Sequence, residues 1–578
     1  MADETPRKRR KTNEGDPSCS PVDRPSRRSI SPPPRRTPRK AQPVAKPGDA
    51  LSKEVLSTSP KTRMLIPSPI QLNNISELPA SSNVDTVSLR DILGDPLISE
   101  CWLFNYLFDV DFLLSQFDED VRDVIQVKLV HGSWRKEDMN KIRIDEAVKR
   151  HPNTQSITAH MPEAFGTHHS KMIVLFRHDD QAQVNLLTAN FIDIDWRMSQ
   201  AVWRSPLLPL QAVRSGGSTP VSKPPLPPLG SGARFKRDLL AYFRCYTGLR
   251  ALTTKLDLYD FPSVRGALVA SLPGRRGLNV TTEEQNLWGL PGLERVLESI
   301  PRPSKPIARY NIESSPYLPT DTSDQQPSNP QIVIQISSVA TIGDKWPREH
   351  LFPSLSAISP NPAPNPKAKP LPPPKFHIIF PTADEIRRSV DGYGSGSSIH
   401  MRNKFPTQTR QLTYLRPMLR HWAGDQSQDD DAPPSTEPIR EAGRRRAAPH
   451  IKTYIRFSDA RMTKIDWAML TSANLSNQAW GSETKDGEWR ICSYEIGIVV
   501  WPALWDTPEA TAELVPVFKQ DVPEQRGEGE EAIRVGWRMP YDLPLVPYRA
   551  GEMPWCAEEP CEERDWMGRS WPGVGGRT

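Results

Sequence analysis

The chain has 578 residues, enough for two ordinary domains with tails, and its 61 prolines are clustered rather than spread, which predicts linkers around a conventional core. Its 74 basic against 69 acidic side chains leave a net charge of +5, too small to announce a nucleic-acid binder, so the distribution of charge matters more than its sum. No apolar run approaches the ~20 residues of a membrane helix and no secretory signal opens the sequence, so a soluble, intracellular protein without a membrane partner is expected.

Residues 1 to about 65 lack apolar periodicity and are rich in Pro, Ser and Arg, which predicts a disordered tail. Within it Arg7, Lys8, Arg9, Arg10 and Lys11 form a basic run of the kind that serves nuclear import or a nucleic-acid arm. The bland alternative is a solvated tail; nuclear localisation is the expectation taken here. Folded structure is expected from about Ile70. Leu89 to Ile98 and Trp102 to Phe117 carry a helical pattern, with Phe104, Leu107, Phe108 and Phe112 as its apolar stripe. Val124 to Val130 reads as a buried strand ending at His131.

A first domain is drawn over residues 66–265, with a Pro/Gly/Ser-rich insertion at 204–234 and a helical pattern over 235–257. A second spans 266–550. It opens on a strand from Ala267, and Gln331 to Ser338 forms another strand that ends in two serines, Ser337 and Ser338. A proline-rich loop at 353–375 precedes the strand Phe376–Phe380, and an acidic-then-basic insertion at 424–448, expected to be mobile, leads straight into His450. Residues 551–578 are assigned to a C-terminal tail. Strands alternating with helical patterns predict an α/β fold. Of the 6 cysteines, Cys101, Cys245 and Cys492 read as buried thiols, while Cys556 and Cys561 lack the second pair that a zinc site requires. No metal or cofactor is called for.

One pattern occurs twice. His169 and Lys171 stand two residues apart before the run Met-Ile-Val-Leu-Phe, and His450 and Lys452 stand likewise before Thr-Tyr-Ile-Arg-Phe. On a strand, residues i and i+2 share a face, so each His and Lys point into one space. Downstream come Leu-Leu-Thr-Ala-Asn ending at Asn190 and Leu-Thr-Ser-Ala-Asn ending at Asn474, each followed six residues on by a tryptophan, Trp196 and Trp480. The repetition predicts an internal duplication whose halves meet across a pseudo-twofold axis to make one site.

Taken singly, these residues say little: an asparagine after a strand is more often a turn residue or cap than a ligand, and His168 reads as structural. Four residue types in the same order twice favour function. Two facing imidazoles can divide nucleophilic and acid–base work at phosphorus. Two lysines and two asparagine amides would stabilise the non-bridging oxygens of a five-coordinate transition state without a metal ion.

These segments resemble the paired motifs of the phospholipase D superfamily, and within it residues 164–172, 449–454, 470–476 and 493–497 are similar to the tyrosyl-DNA phosphodiesterase (type 1) branch. Weaker matches lie at 104–111, 335–339 and 540–544, so the resemblance spans roughly 68–550 apart from the insertions. The superfamily's usual aspartate after the lysine is absent, Phe176 and Phe457 standing five residues on; that absence is typical of this branch. The resemblance implies two similar α-β-α sandwich domains with the site between them. It implies hydrolysis of the bond between a DNA 3′ phosphate and a tyrosine of stalled topoisomerase I, on single-stranded, nicked or duplex ends, by a monomer.

Under that resemblance His169 is the nucleophile that forms a covalent phosphohistidine, and His450 the general acid and then base. Lys171, Lys452, Asn190 and Asn474 hold the phosphoryl oxygens. Gln200, matched across a one-residue gap, and Glu495 orient the imidazoles. Phe165 stacks on a DNA base, and Ser337 and Ser338 bind phosphate. A family lysine three residues after the second asparagine is replaced by Asn477. Two other readings stay open: a phospholipase or nuclease of the same superfamily, and a non-catalytic DNA-end binder.

Overall fold

The computed structural model describes residues 64–212, 225–278, 285–301, 329–357, 372–423, 438–525 and 533–573. The basic run at residues 7–11, the centre of the 204–234 insertion, most of the 353–375 loop and the acidic part of 424–448 lie outside these.

Two large sheets form the molecule, and they are built alike. In the first, the strands run Ile70–Leu72, Ala201–Arg204, Gln181–Leu187, Met172–Arg177, Ile98–Phe104, Gln126–His131 and Thr154–Thr158 in spatial order. The second contains the run Ala267–Ser271, Glu495–Val500, Ile465–Thr471, Thr453–Phe457, Gln331–Gln335, Lys375–Ile379 and Leu419–Arg420, to which Ala512–Val517, Ile533–Arg538 and Leu65–Ile66 are added. In both, the first four pairings of the run are antiparallel and the last two parallel. Register repeats too: Met172 faces Leu186 and Thr453 faces Leu470, three residues after the histidine and four before the asparagine in each half. A duplicated α/β architecture follows from pairing alone.

Strand alternation sets the layers. Ile173 and Leu175 face a core made with the helices Leu89–Leu93, Val110–Leu114 and Met139–Arg150, whereas Met172, Val174 and Phe176 face a central core. In the second sheet Ile332, Ile334 and Met469 face an outer core, and Val333, Ile455 and Leu470 face the same central one. Both halves therefore bury apolar side chains in one cluster, each full burial contributing roughly 1.5–3 kcal/mol.

Several expectations fail for identifiable reasons. Trp102 to Phe104 is strand, not helix: Cys101 and Leu103 enter one core and Trp102 and Phe104 the other. A strand buried on both faces reads as a continuous apolar run, which periodicity cannot separate from helix. The helix Gly232–Arg244 starts inside the supposed insertion, because Ser231 caps it by accepting from the Arg234 amide. Gly232 is required there; a Cβ would come within 1.6 Å of the Phe261 carbonyl oxygen.

The stretch opening the proline-rich loop contains the helix Phe352–Ser356. Residues 438–448 are packed rather than mobile, with Ala442, Arg444, Ala447 and Ala448 buried. The supposed tail also joins the outer core: Trp555 is buried and donates to the Gly396 carbonyl at 2.9 Å. Cys245 is exposed, at the C-terminal cap of the helix Gly232–Arg244, while Cys101 and Cys492 are buried. Among the described residues no helix is long and apolar enough to cross a membrane.

Candidate active site

The loops that carry both His-x-Lys pairs open at the same end of their sheets. In each half the backbone amide after the second strand's apolar run donates to the lysine carbonyl, Leu187 to Lys171 at 3.1 Å and Thr471 to Lys452 at 3.2 Å. Each lysine ammonium, fully buried, donates to the carbonyl of its own histidine, Lys171 to His169 and Lys452 to His450. Each tryptophan indole donates to the carbonyl of its asparagine, Trp196 to Asn190 at 3.2 Å and Trp480 to Asn474 at 3.1 Å. The repeated tryptophans thus lock the asparagine turns.

The halves are joined at the site by a crossed pair of backbone bridges. Tyr494 pairs with His168 and Ser199 pairs with Pro449, so the residue before each histidine is bound to the opposite half. The amide of Tyr494 donates to the Thr167 carbonyl and that of Ser199 to the Ala448 carbonyl, both at 2.9 Å; His169 and His450 return amide bonds to Tyr494 and Ser199. The next residue along each bridge reaches the facing imidazole. Glu495 accepts from His169 Nδ1 at 2.9 Å, and Gln200 Nε2 lies 3.0 Å from His450 Nδ1.

Behind each orienter stands a hydroxyl that the sequence reading missed. Ser472 donates to the Glu495 carboxylate, and Thr188 donates to Gln200 Oε1 at 2.7 Å. Each sits two residues before its asparagine and also accepts a backbone amide at 3.0 Å, from Ile496 and Ala201 respectively. A hydroxyl at that position in both Thr-Ala-Asn and Ser-Ala-Asn was the available signal.

The two orienters impose different tautomers. A carboxylate only accepts, so His169 carries its proton on Nδ1 and leaves Nε2 a bare lone pair. Gln200 is fixed the other way round: its Oε1 accepts from Thr188, and its Nε2 donates to the Asp195 carbonyl at 2.9 Å and to His450 Nδ1. Resting His450 therefore carries its proton on Nε2. Asp195, fully buried and overlooked in the sequence, places Oδ2 3.3 Å from His450 Nδ1. A second proton on that imidazole would face this carboxylate.

Burial lowers the pKa of His169 below the ordinary 6.5, against the opposing pull of Glu495. It lowers His450 well below that value, helped by the charges of Lys452 and Lys171. Lys171 is brought down to about 8 by burial, with Glu495 and Asp195 resisting, and burial with the Lys171 charge lowers Lys452. Two neutral imidazoles thus lie beside two buried lysine amines, whose charged forms an anionic phosphodiester would favour.

The asparagines are not equivalent. Asn474 Oδ1 accepts from the amides of Ser337 and Ser338 at 3.1 and 3.0 Å, which leaves its Nδ2 to donate into the site. Asn190 instead gives its backbone amide and Nδ2 to Asp195, both at 2.8 Å, and its buried Oδ1 has no hydrogen-bond partner among the described residues. Ser337 is buried with its hydroxyl directed to Asn474 at 3.3 Å, so it positions that amide; Ser338 is the less buried of the pair. Phe165 is exposed. His168 is structural, held by the Asn105 carbonyl and the Tyr246 hydroxyl. Asn477 begins the short helix Asn477–Trp480, capped by Ser476.

The chain is similar to known proteins over most of its length. The family model for tyrosyl-DNA phosphodiesterase matches residues 69–549. The chain is 30% identical over 571 residues to a probable tyrosyl-DNA phosphodiesterase of Schizosaccharomyces pombe, covering 89% of this chain and 97% of that one. It is 25% identical over 543 residues to tyrosyl-DNA phosphodiesterase 1 of Arabidopsis thaliana, covering 88% and 77%. The crystal structure of the yeast tyrosyl-DNA phosphodiesterase shares the fold, with a TM-score of 0.55 and 20% identity over 85% of this chain and 99% of that one.

Proposed function

The chain belongs to the tyrosyl-DNA phosphodiesterase family, with a phospholipase D-like fold, and is a phosphoric diester hydrolase of DNA repair; from that premise we propose the substrate and the roles of its residues. The substrate is a DNA 3′ end, single-stranded, nicked or duplex, esterified to a tyrosyl peptide left by topoisomerase I. His169 Nε2 attacks phosphorus and the bond to the tyrosine oxygen breaks; His450, neutral in the free enzyme, takes up a second proton on Nδ1 beside Asp195 as the anionic phosphodiester binds, and gives its Nε2 proton to the departing phenolate. Neutral His450 then takes a proton from water, whose oxygen attacks phosphorus. The phosphorus–nitrogen bond breaks, freeing His169 and a 3′-phosphate.

The observation that carries this assignment is the crossed pair of orienters. The carboxylate of Glu495 frees the Nε2 lone pair of His169, while Gln200 and Asp195 support a proton-bearing His450. Lys171, Lys452 and the Asn474 amide hold the non-bridging oxygens. A purely DNA-binding protein has no use for two imidazoles held in opposite tautomers. All these groups come from one chain, which supports a monomer.

An oligonucleotide with a 3′-phosphotyrosine, offered in excess EDTA, tests the reading. Wild type should convert it to a 3′-phosphate, and His450→Ala should accumulate a covalent adduct on denaturing gels that His169→Ala never forms. No adduct with either variant would overturn the roles; turnover of lipid or internal phosphodiesters alone would favour the superfamily's other activities. The basic run Arg7 to Lys11 supports a nuclear location. Replacing those five residues with alanine should leave a fluorescent fusion in the cytoplasm, and unchanged nuclear signal would refute that assignment.

A further inference from the structure

Large aromatic side chains in this protein are mostly buried; three on the segments that lead to His169 and its neighbours are not. Tyr106 is 41% exposed, Trp134 56% and Phe165 82%. The Tyr106 ring lies 6.0 Å from that of His169. Trp134 follows the strand Gln126–His131 in a loop tied to the same place by three links. The Ser133 amide donates to His131 Nδ1 at 3.1 Å. Asn140 Nδ2 clamps the loop to the end of the neighbouring strand, donating to Ser133 Oγ at 2.9 Å and to the Tyr106 carbonyl at 3.1 Å. Gly132 lies so close to the nucleophile's segment that a Cβ there would meet His168 Cβ at 2.6 Å and Met161 Sδ at 3.3 Å.

The Arg135 guanidinium sits over the Trp134 ring, 5.2 Å from its centre. An exposed indole with a cation on one face offers its other face to a flat π system and its charge to a phosphate. A packing role does not account for it, since Trp203, Trp467 and Trp480 show what a packed indole looks like here: all are buried.

We propose that Trp134 and Arg135 form a docking platform for the DNA strand leading to the 3′ end, with a base stacked on Trp134 and the backbone phosphates facing Arg135. The platform prolongs, away from the scissile bond, the contact expected of Phe165. It rests on the reading of the site as a DNA 3′-end phosphodiesterase and extends it to how the strand is held. Stacking of this kind tolerates any sequence, because every base has a π face.

The test compares wild type, Trp134→Ala and Trp134→Phe on two substrates, a single-stranded 3′-phosphotyrosyl oligonucleotide and a single nucleoside 3′-(nitrophenyl phosphate). Trp134→Ala should raise KM for the oligonucleotide roughly 5- to 100-fold, the range expected for one lost base–aromatic stack, with kcat little changed. The penalty should fall away on the single nucleoside, and Trp134→Phe should recover most of it. An unchanged KM, or an equal loss on both substrates, would overturn the platform. Fluorescence anisotropy with a 3′-hydroxyl oligonucleotide separates this from the chemistry. If wild type binds but hydrolyses nothing, the proposed activity fails while the Kd ratio of Trp134→Ala to wild type still judges the platform.

Discussion

At the residue scale, the division of labour proposed for His169 and His450 comes from what touches their Nδ1 atoms. A carboxylate at one and an amide at the other produce opposite tautomers from the same side chain. The buried charges also set a pH window. His169 acts as a neutral imidazole with its pKa below 6.5, so its acid limb should lie below the ordinary histidine range, while the second proton that His450 must take up, at a group held well below 6.5, should make kcat/KM decline from there as pH rises. Lys171, depressed to about 8, loses its positive charge as pH rises through that value, which should steepen the decline there. Single-turnover rates of free enzyme with dilute substrate across pH 4 to about 10 check both limbs. A slope unchanged through pH 8 would mean that the Lys171 charge is dispensable.

At the element scale, the site depends on two strand pairs held in identical register by their apolar sides. Leu470 lies opposite Thr453 and is buried in the central core. Leu470→Ala should lower stability by about 2–5 kcal/mol through lost burial and the cavity left behind, read as a lower denaturant midpoint. Enzyme that remains folded should keep its His450 chemistry, because the Thr471 amide still fixes the Lys452 carbonyl. Loss of activity without loss of stability would show that the register argument is wrong. The strand containing Trp102 shows the limit of pattern reading at this scale: its two buried faces erase the alternation that would have revealed it. Residues 438–448 show a second limit. Their composition is that of a solvated segment, yet Arg444, Ala447 and Ala448 are buried.

At the scale of the whole molecule, neither half is self-sufficient. The central core takes Val174 and Leu186 from one sheet and Val333 and Ile455 from the other, and each catalytic imidazole is oriented from the opposite half. Residues 64–265 produced alone should therefore expose a large apolar face, aggregate on size-exclusion chromatography and form no adduct with a 3′-phosphotyrosyl oligonucleotide. A soluble, monomeric and reactive fragment would contradict the shared core. The sequence by itself determined the duplication, the two His-x-Lys pairs, the asparagines and the α/β class, because strand periodicity and repeated spacing are local properties written along the chain. Tertiary structure alone decided that Ser472, Thr188 and Asp195 belong to the site, that Asn190 and Asn474 present different atoms, and that Trp134 lies exposed on a loop tied to the Tyr106 carbonyl. Those facts depend on which distant backbone atoms are brought within hydrogen-bond reach, and that distance is not encoded by spacing along the chain.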